Sequence, residues 1–128
     1  MLRILKSYPD KVCRELSLDA AEPGAWIDLV SPSRDEIEAV SRVTRAPADF
    51  LAAALDPEET SRIEVDEGHI LVVLNVAKAE GNYKFDALPM GIVLTTEYIV
   101  TVCLEQTDIL PLSTSSLGGF STYKRTRF

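Results

Sequence analysis

Apolar and polar positions alternate along this chain with two different periods, and the switches between them divide it into elements. "LRILK" and "CRELSL" read as short strands on either side of the turn-like "YPDK" around Pro9 and Asp10. "AAEPGA", residues 20–25, is a loop, and "WIDLV" follows as a strand. Ser33 stands three residues before Glu36, the spacing of a capping box, in which each residue's side chain satisfies a backbone N–H of the other. Ile37, Val40 and Val43 then recur at helical spacing, which predicts a helix from about Arg34 to Thr44 with one face laid on a sheet.

Pro47 suits the first turn of a second helix, "PADFLAAAL", on which Phe50, Leu51, Ala54 and Leu55 share one side. Asp56-Pro57 ends it, because the residue before a proline is pushed away from helical torsions. "RIEVDEGHILVVLNVAKAEG" reads as a strand, a turn at Glu67-Gly68 and a longer strand. The longer strand is apolar on both faces across Ile70–Val73, the pattern of a central strand covered on both sides. "NYKFDALPMGIVLTTEYIVTVCLE" adds two strands that turn near Thr96-Glu97.

This order predicts an α/β fold: a mixed β-sheet with two helices on one face. A sheet with two apolar faces needs cover on both. The far end supplies little of it: "LPLSTSSLGGF" is loop-like, and "STYKRTRF" is a basic approach to a helix that does not follow. The expectation is a single truncated domain over residues 1–128, roofed on its second face by downstream polypeptide or a partner chain. There are no internal repeats or low-complexity tracts.

Length agrees with one domain, since 128 residues can bury a core but not two. Thirteen basic against twenty acidic side chains give a net charge of −7, which argues against a duplex-binding nucleic-acid protein. Cys13 and Cys103 make neither a disulfide framework nor a CxxC zinc site. Cys103, inside "YIVTVCLE", reads as a small core hydrophobe, and a reducing compartment is the easier setting. The longest unbroken apolar run is "ILVVL", far short of the roughly 20 residues a membrane crossing needs.

Catalytic chemistry has few footholds. The single histidine, His69, opens a strand and reads as a structural or surface residue rather than a catalyst, and GxSxG, HExxH and GxxxxGK[ST] are all absent. Gly118-Gly119 lacks the spacing and context of a phosphate loop. The reading is not an enzyme and names no catalytic residue. Trp26 reads as core packing with its indole N–H bonded. Lys124, Arg125 and Arg127 are too few to establish contact with anionic lipid.

The acidic stretch "DPEETSRIEVDE", residues 56–67, holds six carboxylates around Arg62. Mg²⁺ binds through one or two carboxylates and keeps several waters, so Asp56 and Glu59 are close enough in sequence to share a hydrated ion. The plainer reading is a solvated charged turn after a helix, with Arg62 paired to one of the acids.

Taken together, the segments resemble the cytoplasmic amino-terminal domain of the CorA family of magnesium transporters. "WIDLVSPSRDEIEAV" is similar to the family's Trp-Ile-Asp/Asn-Leu, Pro-Thr/Ser, acidic-helix pattern. "APADFLAAALDPEETSRIEVDEGHILVVLNV" resembles its helix, Arg-hydrophobic-Glu and apolar strand. "LPMGIVLTTEYIVTV" resembles its pair of strands, and "GFSTYKRTRF" the approach to its long connecting helix. Coverage runs over about residues 25–128.

The resemblance implies an α/β/α sandwich whose other helical layer is largely missing here and comes from beyond Phe128. It implies a homopentamer with this domain in a cytoplasmic funnel at the cell membrane, which the protein meets only through missing C-terminal segments. Mg²⁺ between neighbouring domains would favour the closed pore. The pore helices and Gly-Met-Asn loop are absent, so this polypeptide does not conduct ions alone. Many relatives carry a Glu-Asp pair after the leucine of the second helix, where this chain has Ala52 and Ala53 after Leu51. Asp56, Glu58 and Glu59 lie just beyond and are the candidate metal residues, with Mg²⁺ as a regulatory ion; zinc and cobalt carriers belong to the wider family too. The competing reading is a stand-alone soluble α/β module that docks a protein partner through its sheet face.

Overall fold

The computed structural model describes residues 1–9, 12–79, 81, 82, 85–107, 109 and 122, apart from the side chains of Ala79 and Phe85. "LPLSTSSLGGF" and, Thr122 excepted, "STYKRTRF" lie outside the described residues, and so do the Gly118-Gly119 pair and the Lys124, Arg125 and Arg127 cluster.

Among the described residues seven strands form one mixed sheet: β1 (Leu2–Ser7), β2 (Cys13–Leu16), β3 (Trp26–Val30), β4 (Arg62–Asp66), β5 (His69–Ala79), β6 (Phe85–Leu94) and β7 (Ile99–Cys103). Their order across the sheet is β2-β1-β3-β7-β6-β5-β4. β3 and β7 run parallel and every other pairing is antiparallel. The parallel pair needs a long crossover, and the helices lie within it: α1 (Arg34–Thr44), then α2 (Ala48–Ala52), which tightens into a 3-10 turn at Ala53–Leu55.

Local chemistry places these breaks. Glu36 N–H donates to Ser33 Oγ at 3.1 Å and Ser33 N–H donates to Glu36 Oε1 at 3.0 Å, so the capping box predicted for α1 is formed. That bond from the Ser33 backbone also holds the Glu36 carboxyl below its ordinary pKa. Pro47 is the N-cap of α2. Glu67 and Gly68 both have positive φ, as a two-residue turn whose twist matches the flanking strands requires. Pro89 lies beyond the segment of β6 that pairs with β7, so its missing N–H falls where β6 has a neighbour on one side only.

Period two along the strands separates two faces. Ile4, Ile27, Val100, Val93 and Leu71 form one cross-strand row, with Ile37, Val40, Phe50 and Leu51 of the helices in the same core. Gly91 lies on this face beneath the 3-10 turn: a Cβ there would stand 3.2 Å from Ala54 Cβ, so the glycine is what lets the turn approach the sheet.

The opposite face is graded. Leu5, Trp26, Ile99, Leu94, Ile70 and Val65 form one row across it. Exposure rises along that row from 1% at Leu5 and 3% at Ile99 to 67% at Val65, with Leu94 and Ile70 half-buried between. The parallel row from Arg3 ends at Ile63, 73% exposed. This corrects the expectation that β5 is central and covered on both sides. It is next to the edge, with Leu71 and Val73 buried under helices and Ile70 and Val72 half-buried on the other face. Thr122 stands on the covered part, its N–H donating to Ser7 Oγ at 2.8 Å while its Oγ1 accepts from Ser7 N–H at 2.9 Å.

Candidate functional site

The acidic residues singled out in the sequence fall on the connection from the 3-10 turn to β4. Asp56 caps that turn and its Oδ1 accepts from Glu58 N–H at 2.9 Å, while Glu59 N–H donates to the Asp56 carbonyl at 3.1 Å. The three are therefore neighbours in one tight turn. Their side chains have different commitments: Asp56 and Glu58 are exposed, and Glu59 is half-buried and accepts from Arg62 Nε at 3.2 Å. Arg62 also pairs with Glu64, and these two acids raise its pKa above the ordinary guanidinium value. Arg62 thus pairs with two acids where the sequence reading gave it one, the second being Glu64 on β4.

Among the described residues no group of three or more His, Cys, Asp or Glu side chains is placed to hold a metal ion. A hard cation demands oxygen ligands and tolerates bound water, and Asp56 and Glu58 are the exposed carboxylates of this turn.

His69 opens β5 and is half-buried. It lines a cleft of about 530 Å³ with Arg45, Glu67, Thr95 and Glu97, where the C-terminal end of α1 meets two hairpin turns.

Beneath the covered part of the second face runs a polar row. Trp26 Nε1–H donates to Thr101 Oγ1 at 2.8 Å, Thr101 Oγ1 donates to Asp28 Oδ1 at 2.9 Å, and Arg3 Nη2–H donates to Asp28 Oδ2 at 2.7 Å. Register explains the set: Arg3 pairs across to Asp28 and Asp28 to Thr101, with Trp26 two residues along on the same face. Asp28 is 1% exposed, so its charge requires these donors. Two further residues lie beside the row: Cys103, whose thiol burial pushes to about 12, and Ile99, which packs on Trp26. Along "WIDLV", Ile27 and Leu29 thus face the helices and Trp26 and Asp28 the opposite face.

A family model described as "CorA-like Mg2+ transporter protein" matches residues 22–121. The chain belongs to the CorA-like Mg²⁺ transporter family. Among solved structures it is similar to the complete CorA magnesium transporter of Methanocaldococcus jannaschii, with a TM-score of 0.68 and 20% identity over 84% of this chain and 33% of that one. The soluble domain of that CorA matches with a TM-score of 0.65 at 20% identity, covering 83% of this chain and 41% of the other. The ZntB cytoplasmic domain from Vibrio parahaemolyticus follows at 0.62 and 14% identity, covering 82% and 44%. No curated protein sequence matches. The chain spans about a third of the length of the complete CorA structure. At these identities the likeness establishes the fold: a mixed seven-stranded sheet with two helices, as in a soluble CorA-type domain.

Within that CorA-like fold Ala52 is exposed at the end of α2, and Ala53 begins the 3-10 turn and packs against the helical core. No helix among the described residues is long and apolar enough to cross a membrane. The polar row is what sequence reasoning missed. Its one legible signal is an aspartate at an alternating position inside an otherwise apolar strand; its partners Arg3 and Thr101 lie 25 and 73 residues away.

Proposed function

We propose that this chain is the regulatory and assembly domain of a CorA-type divalent-cation transporter. The observation that carries the reading is the family match over residues 22–121, on a mixed seven-stranded sheet with two helices that has the fold of a soluble CorA domain. In this reading the domain does not conduct. It sits at the cytoplasmic face of the membrane in a homopentamer, and its state biases a pore formed elsewhere in the protein.

Asp56 and Glu58 are the residues of this chain that would face a regulatory Mg²⁺ shared with a neighbouring subunit. Both are exposed carboxylates without a cationic partner of their own in the described pairs, whereas Glu59 is held by Arg62. A cation between two such turns would offset their mutual repulsion, and its loss would loosen the contact. Half of a shared site binds weakly, so the isolated chain is expected to respond to Mg²⁺ only at millimolar levels and above.

A domain replacement tests the reading. The chain is exchanged for the corresponding domain of a CorA transporter, and Mg²⁺-dependent growth and uptake are measured in cells lacking their own Mg²⁺ transport. Restored uptake that is shut off by high internal Mg²⁺ is expected. With Asp56→Asn/Glu58→Gln, uptake persists and the shut-off weakens. A chimera that assembles in the membrane but never transports, or one whose control ignores the double substitution, overturns the domain role or the metal assignment respectively.

A further inference from the structure

We propose that the free edge of β4 pairs with β4 of a second copy of this chain, antiparallel and centred on Ile63, joining two sheets into one. Among the described residues β4 ends the sheet, and all five of its residues are exposed. Asp66 and His69 close the two-residue turn, so in the alternation of antiparallel pairing they exchange hydrogen bonds, whereas Val65↔Ile70 and Ile63↔Val72 do not. The N–H and C=O groups of Ile63 and Val65 therefore point outward, where another strand would take them. Edges are ordinarily blunted by shortness, charged side chains, proline, a bulge or a covering loop, and of these β4 has shortness and charges of both signs, which a second copy can match. β4 has no proline and pairs with β5 residue by residue over its whole length.

Side-chain chemistry selects a second copy and the register. A two-fold axis through Ile63 places Ile63 against Ile63 of the partner subunit. Arg62 then stands opposite Glu64 of the partner subunit, and Glu64 opposite Arg62 of the partner subunit. These charged pairs occupy the closely spaced, non-hydrogen-bonded positions, where opposite charges interact best. Shifting the axis to Glu64 would set two carboxylates face to face. The same two-fold axis keeps like faces together, so the half-covered apolar surface around Ile63, Val72 and Ile92 becomes continuous across the junction. Five-residue strands bury little area, so the dimer is weak, concentration-dependent and salt-sensitive.

This inference does not rest on the proposed function. A closed ring of five uses head-to-tail contacts, whereas a two-fold edge contact joins two separate copies or assemblies.

Sedimentation velocity of the 128-residue chain across a concentration series is expected to show a monomer–dimer equilibrium. Arg62→Glu sets like charges opposite each other at both positions and raises the dissociation constant about tenfold or more. Arg62→Glu/Glu64→Arg exchanges the signs and restores the dimer. In a Cys13→Ser background, Ile63→Cys forms a disulfide-linked dimer under mild oxidation, whereas Val65→Cys does not. Circular dichroism confirms that each variant is folded, which exposed positions permit. A chain that stays monomeric to millimolar concentration overturns the proposal and leaves the edge to a strand from another protein or from elsewhere in its own. A dimer indifferent to Arg62→Glu, or a double variant no better than the single one, overturns it too.

Discussion

Thr101 donates its hydroxyl proton to Asp28 at 2.9 Å and accepts the indole N–H of Trp26 at 2.8 Å, so one buried threonine on β7 serves two residues of β3 at once. Replacing it by valine keeps the shape and removes both of these buried hydrogen bonds. Thr101→Val is expected to cost about 2–4 kcal/mol, read from urea denaturation with an unchanged m-value.

Asp28 is also the anion of a buried ion pair with Arg3, whose side chain is only 13% exposed. Asp28→Ala strands the guanidinium away from its carboxylate and is expected to cost about 3–5 kcal/mol. The double variant Arg3→Met/Asp28→Leu removes both charges together and should recover most of that loss. A double variant less stable than Asp28→Ala would contradict this account of the row.

Gly91 is confined by Ala54, with a hypothetical Cβ already at 3.2 Å. Gly91→Val drives two further methyl groups between sheet and 3-10 turn and is expected to cost about 1–3 kcal/mol by overpacking. Hydrogen exchange should show the loss first in residues 53–55, which the added volume displaces.

Glu36 contributes a pH dependence whose sign follows from its lowered pKa. Its stabilisation is fully present above the unfolded value of about 4.5 and is lost as pH falls through the lower folded value. Glu36→Gln keeps an acceptor for Ser33 N–H but carries no charge to titrate. Denaturation series between neutral and acidic pH should therefore find wild type more stable than Glu36→Gln at neutral pH, with the gap narrowing below about pH 4.5.

The two thiols should differ in reactivity. Burial raises both, Cys103 to about 12 and Cys13 by less, since Cys13 is half-exposed on the edge strand β2. Near pH 8 a thiol reagent is expected to label Cys13 slowly in the folded chain and Cys103 only after denaturant is added. Equal labelling rates in the native state would count against the burial of β7.

Elements governed by neighbouring residues are legible in the sequence itself. The capping box at Ser33 and Glu36 bounded α1, Asp56-Pro57 ended the second helical segment, and Glu67-Gly68 turned the β4–β5 hairpin. Each acts over three or four residues, so its physics is contained in the local sequence. The second helix was legible only in outline: five α-helical residues pass into a 3-10 turn because the segment must lie close over Gly91, a contact 37 positions away in the chain. The acidic residues 56–59 were found as a group, while the division between exposed Asp56 and Glu58 and the bound Glu59 depends on how Arg62 emerges onto β4.

By itself the sequence determined the alternation of the strands, the helix ends and the family, because periodicity and motif order are properties of adjacent residues. Only the tertiary structure decided that β3 pairs with β7, which aligns Arg3, Asp28 and Thr101 into one row. It also decided that β5 stands next to an edge rather than at the centre. The same apolar run, Ile70–Val73, suits either position, since a strand's own pattern records how greasy its faces are but not which neighbours cover them.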